Sequence, residues 1–232
     1  MVEITWLGHA MFQFRLESGE VIVLDPWIEG NPKYPAKHEF TRVDAILVTH
    51  GHSDHIADAV SLSKKFKAKV VSIYETSLWL ASKGAAESIG IGKGGTLDLG
   101  MVKVTMTHAI HSNSIQDGDK ILYGGEPAGY VIHFPDRRKM YCSGDTNVFS
   151  DMQLIEKLYQ PDLAILPIGD YYTMGPREAA LACRMLKPKK MIPMHFGTFP
   201  VLSGTPEQVA KLLKDFPQTK VWPLEIGVAA KW

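Results

Sequence analysis

The stretch ILVTHGHSDHIAD, residues 46–58, decides how the rest of the chain is read. It opens as a continuous apolar run, the pattern of a strand buried on both faces, and closes in residues that suit the start of a helix. Between the two stand His50, His52, Asp54 and His55, spaced H-x-H-x-D-H. Three imidazoles within six residues are of little use to a core, because close rings repel when charged and leave polar atoms unpaired when neutral. As isolated loop residues, with Asp54 only capping a helix, they would carry no chemistry. Neutral imidazole and carboxylate together are ligand types for zinc, manganese and iron. His50 and His52, two apart in an extended segment, point the same way. Asp54 and His55, beyond the bend, face a neighbouring point, so the spacing suits two adjacent ions better than one.

Four residues cannot complete two coordination shells. The other histidines are His9, His38, His108, His111, His133 and His195. Three ligand-type side chains fall at expected strand ends, where α/β proteins commonly place ligands: His111 after VKVTMTHAI, Asp145 after MYCSG and His195 after MIPM.

The 232 residues suffice for one large domain with a substantial core. Apolar residues make up 45% and charged residues 22%, the balance of an ordinary globular protein. Lys+Arg and Asp+Glu number 25 each, with no basic run, so charge gives no case for nucleic acid or an anionic membrane as a partner. No signal peptide is expected from MVEITWLGHAMF, and no apolar run approaches a membrane span. Cys142 and Cys183 form no disulfide framework, and a reducing cytoplasm is the simplest location.

Strands are expected at VEITWLG, MFQFRLE, VIVLD, VDAILVTH and AKVVSIY, with a helix from about Asp54 to Lys65 and another at SLWLASKG, stopped by Gly84. GTLDLGMVKVTMTHAIH reads as two strands, and residues 112–127 as a polar loop, a candidate lid. AGYVIHF and KMYCSGD form a hairpin about PDRR. Ser150 and Gln153 have capping-box spacing for the next helix; LAILPIG and KKMIPMH are buried strands flanking the helix PREAALACRML; Thr205, Pro206 and Gln208 open the last helix. No repeat or linker is visible. Strands interleaved with helices predict one layered α/β domain over residues 1–232.

The ordered set H-x-H-x-D-H, histidine, aspartate, histidine resembles the serial ligand motifs of the metallo-β-lactamase superfamily, and VLDPW resembles its first motif. LGHAMF, HGHSDH, GGEPAGYVI, SGDTNVFSDM, LPIGDYYTMGP and PMHFGTFP resemble a branch of small metal-dependent hydrolases similar to L-ascorbate-6-phosphate lactonases. The likeness runs from about Val2 to the C-terminus and implies a four-layered αβ/βα sandwich with metals between its sheets. It implies two divalent ions, zinc first, with manganese, iron or nickel as alternatives. His50, His52 and His111 would serve one ion, Asp54, His55 and His195 the other, and Asp145 would bridge both, with His108 competing with His111. Asp25 would be the structural aspartate. Ile56-Ala57 stand where glyoxalase II-type members carry two glycines. A tRNA-processing relative, a secreted lactamase and a flavo-di-iron oxidoreductase are not expected.

The chemistry expected is hydrolysis of a small-molecule ester, lactone, amide or phosphoester by a water held between the ions, with Asp54 as proton acceptor. The alternatives are a metal-binding protein of the same fold without turnover and a phosphodiesterase or nuclease. His9 in LGHA is a candidate for substrate binding or proton donation, or a buried histidine bonded to backbone. Tyr171, Tyr172, Met174 and Phe196 are candidates to line the substrate pocket, with Tyr171, Tyr172 and Met174 reading equally well as loop residues packed under the sheet. Asp170 would orient a ligand or cap a turn, Cys142 belongs to the core, and His38 and His133 to the surface or a hairpin. Self-association is a further expectation.

Overall fold

A computed structural model describes residues 1–232 and divides the chain into two units. Unit 1 is Met1–Gly92, Ser112–Pro127 and Leu224–Trp232; unit 2 is Lys93–His111 and Ala128–Pro223. Strands and helices are numbered along the chain.

The sheet of unit 1 contains β1 (Val2–Trp6), β2 (Phe12–Leu16), β3 (Val21–Leu24), β4 (Ala45–Leu47), β5 (Lys69–Ile73), β6 (Glu87–Ile91) and β16 (Ala229–Lys231). Its spatial order is β16-β1-β2-β3-β4-β5-β6. The pairings from β16 to β3 are antiparallel and those from β3 to β6 parallel. Every residue of β3 and β4 is buried, as their unbroken apolar runs require. Val21, Val23, Ile46, Val48, Leu62, Val70 and Leu80 belong to one core cluster.

The helix expected from Asp54 to Lys65 is instead two: α1 (Ser53–Ile56) and α2 (Ala59–Phe66). Asp58 makes the break. Its carboxylate accepts the N–H groups of Ile28 and Glu29 at 2.6 and 3.1 Å, and its own N–H bonds Pro26 O at 3.0 Å. These ties to the loop after β3 outweigh the helical continuity that local sequence favours. The next helix, α3, spans Tyr74–Ser82.

Residues 112–127 are not a plain loop. They carry a hairpin in which β9 (Ser114–Asp117) pairs with β10 (Lys120–Tyr123), turning through Gly118 at φ +59°. A lone two-stranded hairpin is marginal in water. This one is tied to α3: Trp79 Nε1 and Lys83 Nζ donate to the Asp117 carboxylate at 3.2 and 2.6 Å, and Thr76 Oγ1 donates to Gly124 O at 2.7 Å. Asn113 joins it to the histidine loop, accepting from Gly51 N and donating to Gly124 O.

In unit 2, β7 (Thr96–Asp98) pairs with β8 (Lys103–His108), followed across the sheet by β11 (Ala128–His133), β12 (Lys139–Cys142), β13 (Leu163–Pro167), β14 (Lys190–Met194) and β15 (Lys220–Val221). The pairings from β7 to β12 are antiparallel and those from β12 to β15 parallel. Each sheet thus has three antiparallel pairings followed by three parallel ones, although no sequence repeat announces it. Helices α4 (Met152–Tyr159), α5 (Pro176–Leu186) and α6 (Pro206–Leu212) complete the unit.

The box expected at Ser150 is absent: Asp151 is the N-cap of α4 without a side-chain cap bond, and Ser150 Oγ bonds Asp151 instead. Thr205 and Gln208 do form a reciprocal box on α6. Cys142 and Cys183 are buried and free, and burial pushes the Cys183 thiol up to about 12. No helix is long and apolar enough to cross a membrane.

The Lys83 ammonium, with Trp79, holds the Asp117 carboxyl below the usual carboxylate range. A depressed folded value means that the tie is present above the unfolded pKa of ~3.9 and is lost as pH falls through the folded value. Asp117→Ala is therefore expected to speed amide exchange across residues 112–127 at neutral pH. Wild type should approach the variant's rates only on acidification below pH ~4. Equal exchange at pH 7 would show that the hairpin does not depend on this tie.

Candidate metal centre

The chemistry-bearing side chains stand just beyond strand ends. In unit 1, β1 leads to His9, β3 to Asp25, and β4 through Val48 and Thr49 to His50. The histidine loop then enters α1, whose first turn carries Asp54 and whose last carries His55.

Asp25 is fully buried and organises this loop. Its Oδ1 accepts Thr49 N–H at 2.7 Å, and its Oδ2 accepts the Thr49 hydroxyl at 2.7 Å and His55 Nδ1–H at 2.8 Å. Burial pushes the carboxyl above its ordinary range, opposed by His55 and the two Thr49 donors. The Thr49 hydroxyl has one proton, which goes to Asp25. Its oxygen is left to accept from His50 Nδ1 at 3.0 Å. Both His50 and His55 therefore carry their proton on Nδ1 and present the lone pair of Nε2.

His50 Nε2 and His52 Nδ1 converge to 2.9 Å, a separation that one shared proton or one shared cation satisfies. Ser112 Oγ lies 3.4 Å from the far nitrogen of His52. Beside this pair, His9 Nε2 is 2.9 Å from Asp54 Oδ2, and His55 Nε2 is 3.7 Å from the same oxygen. His9, Asp54 and His55 each offer one ligand atom within 4.8 Å of the others. Among these, the Asp54 side chain is 27% exposed while the His9 and His55 rings are fully buried.

In unit 2, Asp145 Oδ2 lies 3.0 Å from His195 Nε2 and 3.8 Å from His111 Nε2. One carboxylate oxygen is thus flanked by two imidazoles. Thr146 holds the two loops together: its Oγ1 accepts Ile110 N–H at 2.9 Å, and Asn147 N–H bonds Ile110 O at 3.0 Å. His108 is exposed, 2.8 Å from Lys93 Nζ and edge-on to Phe149. Of the two contenders, His111 is the one the structure sets against Asp145.

Backbone strain marks the same places. Nine residues other than glycine have positive φ. Lys67, Gln160 and Lys187 are helix C-caps, and Arg137 turns the β11–β12 hairpin. The rest are His9, Asp25, Asp170, Tyr171 and His195. Each costs on the order of 1 kcal/mol or more, and such strain gathers where function demands a side-chain direction that relaxed backbone does not give.

Asp170 Oδ1 accepts Tyr171 N–H at 2.7 Å, so its carboxylate caps its own turn. Tyr171 and Tyr172 are exposed, with rings edge-to-face at 4.7 Å. Met174 is packed inside the core of unit 2, its N–H on Thr146 O, and Phe196 is partly buried against that core. Of the four residues expected to line a pocket, only the tyrosines present broad surface; Met174 anchors their loop. His38 lies edge-on to Phe40 and His133 bonds Thr105, outside these donor groups. Thr49 and Thr146 are not legible in the sequence, because hydroxyls have no motif of their own. Adjacency to His50 is the one available signal for Thr49.

The donor pattern and fold define a member of the β-lactamase superfamily, whose domain model matches residues 20–196. The chain is 59% identical over 231 residues to a UPF0173 metal-dependent hydrolase of Solibacter usitatus (strain Ellin6076), covering 100% of both chains. It is 42% identical over 226 residues to a UPF0173 metal-dependent hydrolase of Methanosarcina barkeri (strain Fusaro / DSM 804), covering 97% of this chain and 96% of the other. Igni18, described as a novel metallo hydrolase from Ignicoccus hospitalis KIN4/I, matches with a TM-score of 0.86 and 34% identity, over 99% of this chain and 97% of that one. The architecture is the metallo-β-lactamase fold, as the motifs implied. Within the superfamily, the chain belongs to the UPF0173 metal-dependent hydrolases.

Thr49→Val keeps shape but removes the hydroxyl that joins Asp25 to His50. Outer partners of metal-binding histidines typically contribute ~10- to 100-fold in affinity. Competition with a chromophoric chelator should show a loss of that size for Thr49→Val and little for Thr49→Ser. Equal affinity in both variants would show that the Thr49 hydroxyl does not support metal binding.

Proposed function

We propose that the chain hydrolyses a small molecule at a centre of two divalent ions. His50, His52 and His111 would hold one ion, Asp54, His55 and His195 the other, and Asp145 would serve both. The observation that carries this reading is the carboxylate oxygen of Asp145 flanked by His111 and His195. The lone pairs presented by His50 and His55 fit the same purpose. Imidazole and carboxylate donors suit zinc first, with manganese, iron and nickel as alternatives.

The chemistry that such ions supply when bound is acidification of water, from a pKa of ~15.7 toward ~7, and polarisation of the scissile bond's oxygen. The protein's part is to orient donors, receive a proton and admit substrate. Asp54 is the proton acceptor: it is the acidic donor of its group that solvent reaches, beside two buried imidazoles. Two ligand carboxylates against two divalent ions leave net positive charge. That favours substrates presenting a carbonyl, carboxylate or phosphate. A lactone or other cyclic ester is the first substrate class to try, by resemblance, followed by other esters, amides and phosphoesters. The exposure of Tyr171 and Tyr172 supports the reading that they meet substrate. The balanced charge, 25 basic against 25 acidic residues, argues for a small molecule over nucleic acid.

His52→Ala and Asp145→Ala, purified and assayed for bound metal, should each retain less than wild type and turn over none of the substrates that wild type accepts. The panel is lactones, esters and bis-phosphodiesters with zinc, manganese and cobalt. Unchanged metal content in both variants would contradict the ligand assignment. A metal-loaded wild type inert to the whole panel would point to a binding protein without turnover.

A further inference from the structure

The serial motifs account for His50, His52, Asp54, His55, His111, Asp145 and His195, and leave His9 over. We propose that His9 is itself a metal ligand through Nε2, joining Asp54 and His55 at one ion. This rests on the metal-centre reading above and adds one imidazole to it.

Distance comes first. Two ligands each ~2.0–2.2 Å from one ion stand roughly 3–3.5 Å apart. His9 Nε2 and His55 Nε2 lie 2.9 and 3.7 Å from Asp54 Oδ2, on either side of that range. Each of the three residues offers one ligand atom within 4.8 Å of the other two. A small adjustment of the Asp54 carboxylate brings all three onto one ion.

The backbone supplies the second argument. His9 is fully buried and sits at φ +55°, directly after Gly8 at φ +92°. A Cβ on Gly8 would come within 2.8 Å of Lys33 Cβ, so the tight turn between β1 and β2 admits only glycine there. Trp6 Nε1 donates to His9 O at 2.9 Å, and the His9 ring stands edge-on to Trp27 at 5.2 Å. Glycine, a tryptophan bond and an aromatic wall thus maintain a strained histidine whose Nε2 faces a carboxylate. Any side chain at this turn would bear that strain, but an apolar residue would meet the packing without presenting a nitrogen 2.9 Å from the Asp54 carboxylate. The turn fixes the direction of that nitrogen, as a ligand needs.

The consequence is a nitrogen-rich second ion, with two imidazoles and a carboxylate from unit 1 alone. The competing role for His9 is a hydrogen-bond donor that steadies Asp54 without touching metal.

Two measurements separate these roles. In wild type loaded with cobalt(II), paramagnetic proton NMR counts imidazole N–H groups on ligand rings. The proposal requires one hyperfine-shifted exchangeable resonance from each of His9, His50, His52, His55, His111 and His195, with the His9 signal lost in His9→Gln. A His9 resonance at its diamagnetic position overturns it. Equilibrium dialysis gives the second readout. His9→Gln can still donate to Asp54 but is a poor ligand, so it should bind one equivalent of cobalt(II) at least ~10-fold more weakly than wild type. Unchanged affinity and visible spectrum in His9→Gln would reduce His9 to a hydrogen-bond partner. Wild type that binds no cobalt(II) would instead defeat the underlying metal-centre reading.

Discussion

The carboxylate of Asp25 is the constraint on which the site depends. It is removed from water, receives two donors from Thr49 and one from His55, and through the Thr49 hydroxyl decides the protonation of His50. A buried carboxylate is costly unless its lone pairs are met. Here the groups that meet them are the strand end and the helix turn carrying the histidines. The cost of burying Asp25 is thus tied to the geometry that aims two imidazoles.

The sheets explain why donors so far apart in sequence are available at all. Each unit runs antiparallel strands into parallel ones, and the candidate donors of both leave from strand ends or the loops that follow. The loops beyond these strands turn through left-handed backbone at Asp25, whose N–H still bonds Leu47 O at 2.9 Å, and at His195. The rigid strand behind each keeps that conformation in place. Asn113, bonded to Gly51 and Gly124, and Asp117, bonded to Trp79 and Lys83, do the same for the hairpin beside His52.

Much of this is legible in the sequence because it is written in local chemistry. Three imidazoles directly after a buried strand suit a metal far better than they suit a core, and Asp145 and His195 follow apolar runs whose ends are plain. The Thr205 box is equally visible, since cap and partner are three residues apart. What is not legible depends on distant partners. Asp58 divides a helix by reaching Ile28 and Glu29, and the hairpin at 114–123 hides its alternation among polar residues until α3 supplies a wall. Ser150 has the spacing of a cap without its geometry, because Asp151 takes the position. Met174 lies in a motif that suggests a pocket, yet its side chain belongs to the core. His111 and His108 are inseparable by spacing and are distinguished by the Lys93 contact on one and the Asp145 contact on the other.

Anomalous diffraction from crystals loaded with zinc or manganese, recorded on both sides of the metal's absorption edge, tests the central claim most directly. Two peaks are expected, one against His50 Nε2 and His52 Nδ1, the other against Asp54 and His55 Nε2, both within ligand distance of Asp145. Absence of anomalous density at these residues, or a single peak remote from Asp145, would contradict it.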